Sequence, residues 1–240
     1  MKKMIAIHEH TITNNILKIK SEIALHHHQE CTLVAVSKTR PLEEIIIAYE
    51  GAAGQRHFGE NRLKELEQKA QSIALNKKQS EIAWHFIGNL QSNKIRPLLK
   101  IPQLNFIHSI DSIKLLELLY EHTLQETPLY YFLQVNTSGE GEKGGFKSYQ
   151  DLLVACEWIT QHQKLRPQLH FHGLMTMGRI RTSDVLADAH HSFQMLQEYR
   201  DQLTTRAGHP LHLSMGMSQD YPVALQYGSS YLRIGSTIFS

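Results

Sequence analysis

Along residues 4–28, isoleucines recur at Ile5, Ile12, Ile16, Ile19 and Ile23, spaced seven, four, three and four apart, the stripe of an amphipathic helix. The pattern then changes. TLVAVSKT (32–39) is a short β-branched run without helical polarity, as expected of a strand buried on both faces. Pro41 follows where a first helical residue is favoured. Glu43 and Glu44 suit the positive end of the helix LEEIIIAYEGA.

This strand–turn–helix unit recurs. RHFGEN (56–61) precedes the helical RLKELEQKAQSIAL, WHFIGNL (84–90) precedes QSNKIRPLLK, and NFIHSID (105–111) precedes SIKLLELLYEHTL. YYFLQVNTS (130–138) runs into a glycine-rich loop and a helix from Ser148, where Ser148 and Asp151 have capping-box spacing with Asp in the usual Glu position. LHFHGLMTM (169–177) precedes a longer helix with an apolar stripe of Leu186, Ala189, Phe193, Leu196 and Leu203. LHLSMG (211–216) precedes a short helix near 219–227, and YLRIGS (231–236) is the last strand.

Near-continuous apolar strands alternating with helices predict a parallel sheet covered on its faces. Eight units in about 205 residues suit a (β/α)₈ barrel. An open doubly wound sheet would alternate too, but usually carries a Gly-x-Gly-x-x-Gly turn that this chain lacks. The last strand leaves no stretch for an eighth covering helix, so the helix at 4–28 is expected in its place. No composition shift or linker divides the sequence, and one domain over 1–240 is expected.

Composition fits this reading: 41% apolar and 20% charged residues in 240 allow a full core without disulfides or structural metal. A formal net charge of +2 provides no field to attract nucleic acid or an anionic membrane. The start MKKMIAIHEH lacks a signal-peptide apolar stretch, and no window approaches the ~20 apolar residues that span a bilayer. A cytoplasmic location is expected. Cys31 and Cys156 sit outside any Cys-x-x-Cys pair and read as buried small apolar residues in a reducing compartment. Of sixteen histidines the densest group is His26-His27-His28, with His8 and His10 upstream. Neighbours on a helix point about 100° apart, no ligand spacing is present, and no metal is expected.

Barrels place their chemistry at the C-terminal strand ends. The polar residues there are Lys38, Asn61, His85 with Asn89, Ser109 with Asp111, Asn136, Thr176, Ser214 with Ser218, and Arg233 with Gly235 and Ser236. Lys38 follows a fully apolar strand. An ordinary lysine is neutral in roughly one molecule in 2,500 at pH 7, and a partly buried one frees more of the amine that Schiff-base chemistry needs. The same position equally suits a lysine reaching from the rim into solvent. Barrels often bind phosphate through the loops after strands seven and eight. Here these carry Gly216-Met217-Ser218 and Gly235-Ser236, though the glycines would serve plain turns as well. Asp220 would repel an anion there and is expected to point outward. Arg233, between Leu232 and Ile234, needs a buried partner, which a structural salt bridge would also supply. GEGEKGG (139–145) fails the P-loop pattern and reads as a mobile surface loop over the barrel mouth.

VAVSKTRP (34–41), HFGEN (57–61), WHFIGNLQSNK (84–94), QVNTSGEGEKGG (134–145), HGLMTMG (172–178), LSMGMSQDY (213–221) and GSSYLRIGSTIF (228–239) together resemble the pyridoxal phosphate homeostasis family, relatives of the alanine racemase barrel domain. The stretches cover nearly the whole chain in order. The resemblance implies a (β/α)₈ TIM barrel of the alanine racemase N-terminal type with an extra N-terminal helix. It implies pyridoxal 5′-phosphate held as an aldimine on Lys38. Ser214, Gly216, Met217, Ser218, Gly235 and Ser236 would hold the phosphate, Arg233 would face the pyridine nitrogen, and Asn61 and His85 would lie near the ring. Ser236 stands where many members carry threonine and keeps the hydroxyl; Ser240 replaces a common glycine at a position with no assigned role.

An arginine cannot supply the pyridine proton that makes the ring a strong electron sink. Alanine racemase resembles this arrangement but adds a β-rich second domain with a tyrosine acid/base across a dimer interface, for which 240 residues leave no room. The resemblance therefore implies a non-catalytic carrier or buffer of the cofactor, a monomer whose acceptors would be cofactor-free pyridoxal phosphate enzymes. A racemase of low or narrow activity is the second reading. A signalling or scaffold protein whose cofactor reports vitamin B6 status is the third.

Overall fold

The computed structural model describes residues 2–26, 30–75, 81–124, 126–141, 144–178, 182 and 184–240, with side chains from residue 9 onward. Eight parallel strands close into a barrel in chain order. They are β1 (Thr32–Val36), β2 (His57–Glu60), β3 (Ala83–Phe86), β4 (Leu104–Ile110), β5 (Leu129–Gln134), β6 (Leu169–Met175), β7 (His212–Ser214) and β8 (Tyr231–Ile234). β8 closes onto β1 with Val34 opposite Arg233. The expected parallel barrel, with its N-terminal helix, is what forms.

Both faces of each strand are covered, so the strands read as apolar runs. Leu33, Phe58, Trp84 and Ile107 point outward into the main core beneath the helices. Val34, Phe106, Phe132, Met175 and Tyr231 form a second cluster inside the barrel. The covering helices are α1 (Lys2–Leu25), α2 (Leu42–Glu50), α3 (Leu63–Leu75), α4 (Ile95–Leu98), α5 (Ile113–His122), α6 (Tyr149–His162), α7 (Val185–Ala207), α8 (Tyr221–Gln226) and α9 (Ser236–Phe239). The capping box at α6 forms as its spacing predicts: Asp151 N–H donates to Ser148 Oγ at 3.1 Å, and Ser148 N–H donates to Asp151 Oδ2 at 3.0 Å. Where QSNKIRPLLK predicts one helix, a 3₁₀ turn (Ser92–Lys94) and the single turn of α4 stand instead.

α1 packs on α2 and α9 with Ile12, Ile16 and Ile19 fully buried, while Ile5 lies outside the described side chains. Asn15 Nδ2 donates to the Ile238 carbonyl at 3.1 Å, and Tyr221 Oη bonds the Glu22 carboxylate. The helix therefore lies across the β8–β1 seam, as expected. One expectation is corrected: α9 follows β8, because Gly235 O accepts from both Ile238 N–H and Phe239 N–H, and their side chains are buried. A second correction concerns Leu186, which is 53% exposed while Ala189, Phe193, Leu196 and Leu203 are buried. α7 has 23 residues, roughly 35 Å of helix, and overhangs strands of at most about 23 Å, so its first turn meets no core.

Cys156 is buried and Cys31 half-buried, both as free thiols. Burial pushes their pKa values up to about 11 and about 12 respectively. Of the described residues, no helix is long and apolar enough to cross a membrane, and no group of three His, Cys, Asp or Glu is arranged to hold a metal. His27 and His28 lie outside the described residues.

Candidate functional site at the C-terminal mouth of the barrel

Lys38 stands just past β1 in a clamped turn. Thr39 has φ +63°, a left-handed conformation that a β-branched residue adopts only under constraint. Side chains from β2 and α3 supply that constraint. Thr39 N–H donates to Glu65 Oε1 at 2.6 Å, Ser37 Oγ donates to Glu60 Oε1 at 2.7 Å, and Lys69 Nζ donates to the Ser37 carbonyl at 2.8 Å. Lys69 also pairs with Glu60 and Glu65, each at 2.7 Å. Glu60 is fully buried; desolvation raises its pKa, against the opposing pull of Lys69 and Ser37. The backbone is thus held on both sides of Lys38. The lysine side chain is exposed, the second of the two placements its position suits, because β1 ends at Val36 and the left-handed turn carries the next residues onto the rim.

The two predicted anion-binding loops meet. Thr237 N–H points at Ser218 Oγ at 3.4 Å, joining the loop after β7 to the loop after β8. Gly216 has φ +91°, and a Cβ there would lie 2.6 Å from Ala224 Cβ, so the turn requires glycine. A Cβ on Gly235 would lie 3.0 Å from the Val36 carbonyl, which brings this loop pair against the end of β1. Ser236 is exposed and Ser218 half-buried. Asp220 contradicts its expected outward position: it is 3% exposed and accepts from Met217 N–H at 2.6 Å. Two needs turn it inward. It satisfies a loop donor, and it sits in the field of Arg233, which partly offsets the upward push of burial on its pKa. Met217 N–H is consequently committed within the loop.

Arg233 points into the barrel and is 4% exposed. Nη1 donates to Ser214 Oγ at 2.5 Å and Nη2 to the Thr176 carbonyl at 2.8 Å. Burial lowers its pKa to about 10, with Asp220 opposing the shift. Across the mouth, a Cβ on Gly88 would lie 2.0 Å from the Asn61 carbonyl, so the tips of β2 and β3 are pressed together. Asn61 Oδ1 is buried without a hydrogen-bond partner. Such an orphaned acceptor is uncommon in a native fold and marks a place where a donor fits.

His85 lies deeper than a rim position. It is fully buried, stacked on Phe106 at 4.2 Å, and hydrogen-bonded to His57 and His108. The described part of the 139–145 loop is tied to β5 and reaches towards β4. Asn136 Nδ2 donates to Glu140 O and Gln134 Nε2 to Gly144 O, each at 2.8 Å. A Cβ on Gly144 would lie 2.6 Å from Asp111 Oδ2. Residues 142 and 143 lie outside the described residues.

Sequence reasoning missed the Glu60–Glu65–Lys69 clamp, because nothing in a helix pattern announces that a lysine turns back under a strand end. It also missed His57 and His108. A signal for these existed: six histidines fall inside strand runs, in β2, β3, β4, β6 and β7. Apart from His85, the histidines were weighed as metal ligands and not by their place in the strands.

The family model of the alanine racemase N-terminal domain matches residues 7–240. A protein of Schizosaccharomyces pombe described as a pyridoxal phosphate homeostasis protein is 41% identical over 208 residues, covering 86% of this chain and 82% of its own. A protein of Vibrio alginolyticus with the same description is 38% identical over 237 residues, 95% and 97% of the two chains. The solved structure of PipY from Synechococcus elongatus with PLP bound superposes with a TM-score of 0.77 at 30% identity, covering 95% of this chain and 100% of PipY.

Proposed function

Since the chain belongs to the pyridoxal phosphate homeostasis proteins, built on the alanine racemase N-terminal domain, we propose that it binds pyridoxal 5′-phosphate covalently through Lys38. In this reading 1–240 is one cofactor-binding domain that acts as a non-catalytic carrier and buffer. The observation that carries the reading is the junction of three strand ends: the Ser218–Thr237 contact joins the two loops, and Gly235 seats them against β1 beside the Lys38 turn.

The residues present fit that cofactor. A primary amine on a clamped rim suits an aldehyde; Ser218 and Ser236 hydroxyls, with small residues at Gly216 and Gly235, suit a phosphate approached by backbone. Asn61 Oδ1, buried and unpartnered, suits a ring hydroxyl donor. When bound, the cofactor supplies an aldehyde that condenses reversibly with primary amines.

Each protein group then has a limited task. The Glu60–Glu65–Lys69 clamp fixes where the Lys38 backbone stands. Asp220 holds the Met217 turn. Arg233, with a pKa of about 10, keeps its proton at neutral pH and offers a hydrogen bond without proton transfer. That disfavours carbanion chemistry and supports storage over turnover. Delivery would be to cofactor-free enzymes by transfer to an incoming amine, from a cytoplasmic monomer.

Purified protein given the cofactor should turn yellow, and borohydride should fix the label to Lys38, with no label in Lys38→Ala. A preparation that stays colourless and unlabelled would sink the reading. The racemase alternative draws on the likeness to the alanine racemase barrel domain. It predicts α-proton exchange of an amino acid in deuterated water at enzymatic rates, abolished by Lys38→Ala; exchange no faster than with free cofactor favours the carrier.

A further inference from the structure

Inside the barrel three histidines with no assigned part in holding the cofactor line up behind Ser214 and Arg233. His57 is the first residue of β2, His85 the third of β3 and His108 the fifth of β4. His57 pairs with Ala83, and His85 with Phe106. Each histidine therefore stands one strand over and two residues higher than the last. The rings join end to end. His57 Nδ1 meets His85 Nε2 at 2.9 Å, His85 Nδ1 meets His108 Nε2 at 2.8 Å, and His108 Nδ1 meets Ser214 Oγ at 2.8 Å. Arg233 Nη1 ends the line on the same hydroxyl. His57 is half-buried at the N-terminal end of β2, while His85, His108 and Ser214 are fully buried.

The direction of this line is fixed from one end. A guanidinium only donates, so Ser214 Oγ accepts from Arg233; of the described groups only His108 Nδ1 then stands where it can accept the hydroxyl proton, and the proton goes there. A neutral imidazole accepting at Nδ1 carries its proton at Nε2. His108 then donates to His85 Nδ1, and His85 donates to His57 Nδ1. All three rings hold Nε2–H. Burial, the neighbouring histidines, Arg233 facing His108 and Lys20 facing His57 all disfavour a charged ring.

We propose that His57, His85 and His108 form a tautomeric relay that carries the state of the Ser214 hydroxyl from the cofactor mouth to the opposite end of the barrel. The proposal rests on the reading that Ser214 meets an anionic oxygen of the bound cofactor. When such an oxygen takes the Ser214 hydrogen bond, Ser214 accepts from His108 instead, and each ring must hold Nδ1–H. The protons balance without a charge left in the core. One enters at Ser214 from a water or a protonated ligand oxygen, the Ser214 proton passes to His108 Nδ1, each Nε2 proton crosses to the next ring, and His57 Nε2 releases one to solvent. His57 Nε2 changes from donor to acceptor with no backbone movement.

Histidine-selective ¹⁵N labelling and long-range ¹⁵N–¹H correlation at pH 8 read each tautomer. In cofactor-free protein, His57, His85 and His108 should all show Nε2–H; Nδ1–H or mixed forms would overturn the relay. Arg233→Met should lose that uniformity, and uniform Nε2–H in the variant would remove the cause assigned here. With pyridoxal 5′-phosphate bound, as seen by its visible absorbance, all three rings should change to Nδ1–H; bound cofactor with His57 unchanged also overturns the proposal. His85→Phe, which keeps a ring stacked on Phe106, should leave His108 responsive and His57 silent. A protein that takes up no cofactor defeats the function proposed above. The cofactor-free tautomers and Arg233→Met then judge the relay by themselves.

Discussion

Lys69 Nζ donates to the carbonyl of Ser37 at 2.8 Å, so a buried ammonium from α3 grips the peptide immediately before Lys38. The same nitrogen neutralises Glu60, whose carboxylate has no exposed surface. The turn that carries Lys38 and the barrel wall thus share one ion pair.

Removing Lys69 should be costly for that reason. Lys69→Met leaves Glu60 buried and unpaired, a change worth about 3–5 kcal/mol. Urea denaturation should show a loss of that order, and the Glu60→Gln, Lys69→Met double variant should recover part of it. A double variant as unstable as the single would mean that Glu60 is not the source of the loss.

Asn61 offers the opposite case, a residue whose loss should spare the fold and hurt the ligand. Its Oδ1 has no partner to lose, so Asn61→Ala should stay within about 1 kcal/mol of the parent. Titration with pyridoxal 5′-phosphate, followed by absorbance, should show about tenfold weaker binding, the value of one hydrogen bond at roughly 1.4 kcal/mol. Unchanged affinity would remove Asn61 from the site.

Stability should fall as pH drops below about 6.5. Burial lowers the pKa values of His57, His85, His108 and His212, and takes His172 down to about 3, with His212, His209 and His170 adding repulsion. A ring whose folded pKa lies below its unfolded value of 6.5 binds protons more readily when unfolded, so acid favours unfolding. The loss begins near pH 6.5 and for His172 continues to about pH 3, at up to about 1.4 kcal/mol per pH unit for each ring. Glu60, Asp111 and Asp220, raised by burial, act in the opposite sense within the carboxylate range. Urea midpoints between pH 8 and pH 5 should decline, and His172→Phe should flatten the decline.

Deleting residues 1–25 should expose the surface that Ile12, Ile16 and Ile19 cover at the β8–β1 seam. Each isoleucine buries about 1.5–3 kcal/mol of apolar contact. The shortened chain should therefore be insoluble or unfold without a cooperative transition in circular dichroism. A soluble, cooperative product would show that the barrel closes without α1.

The barrel was legible because a two-sided buried strand and a one-sided helix leave different periodicities, and nothing in the polar clusters disturbs them. Lys38 and the two glycine loops were legible because strand ends are where the runs stop, and Arg233 because it interrupts one. Asp220 was misjudged because its role depends on Met217 N–H and Arg233, neither of which a charge argument about anions includes. Lys69 and the histidine line depend on register between strands, and a linear reading carries no register.

The seam has a consequence for the birth of the chain. Val34 and Arg233 are direct partners across it, although nearly two hundred residues separate them in synthesis. Closure is the slowest kind of contact to form, since it joins sequence-distant segments. Lys38 emerges from the ribosome well before Arg233. A nascent chain therefore displays the amine proposed to take the cofactor long before the opposite wall of the barrel mouth exists.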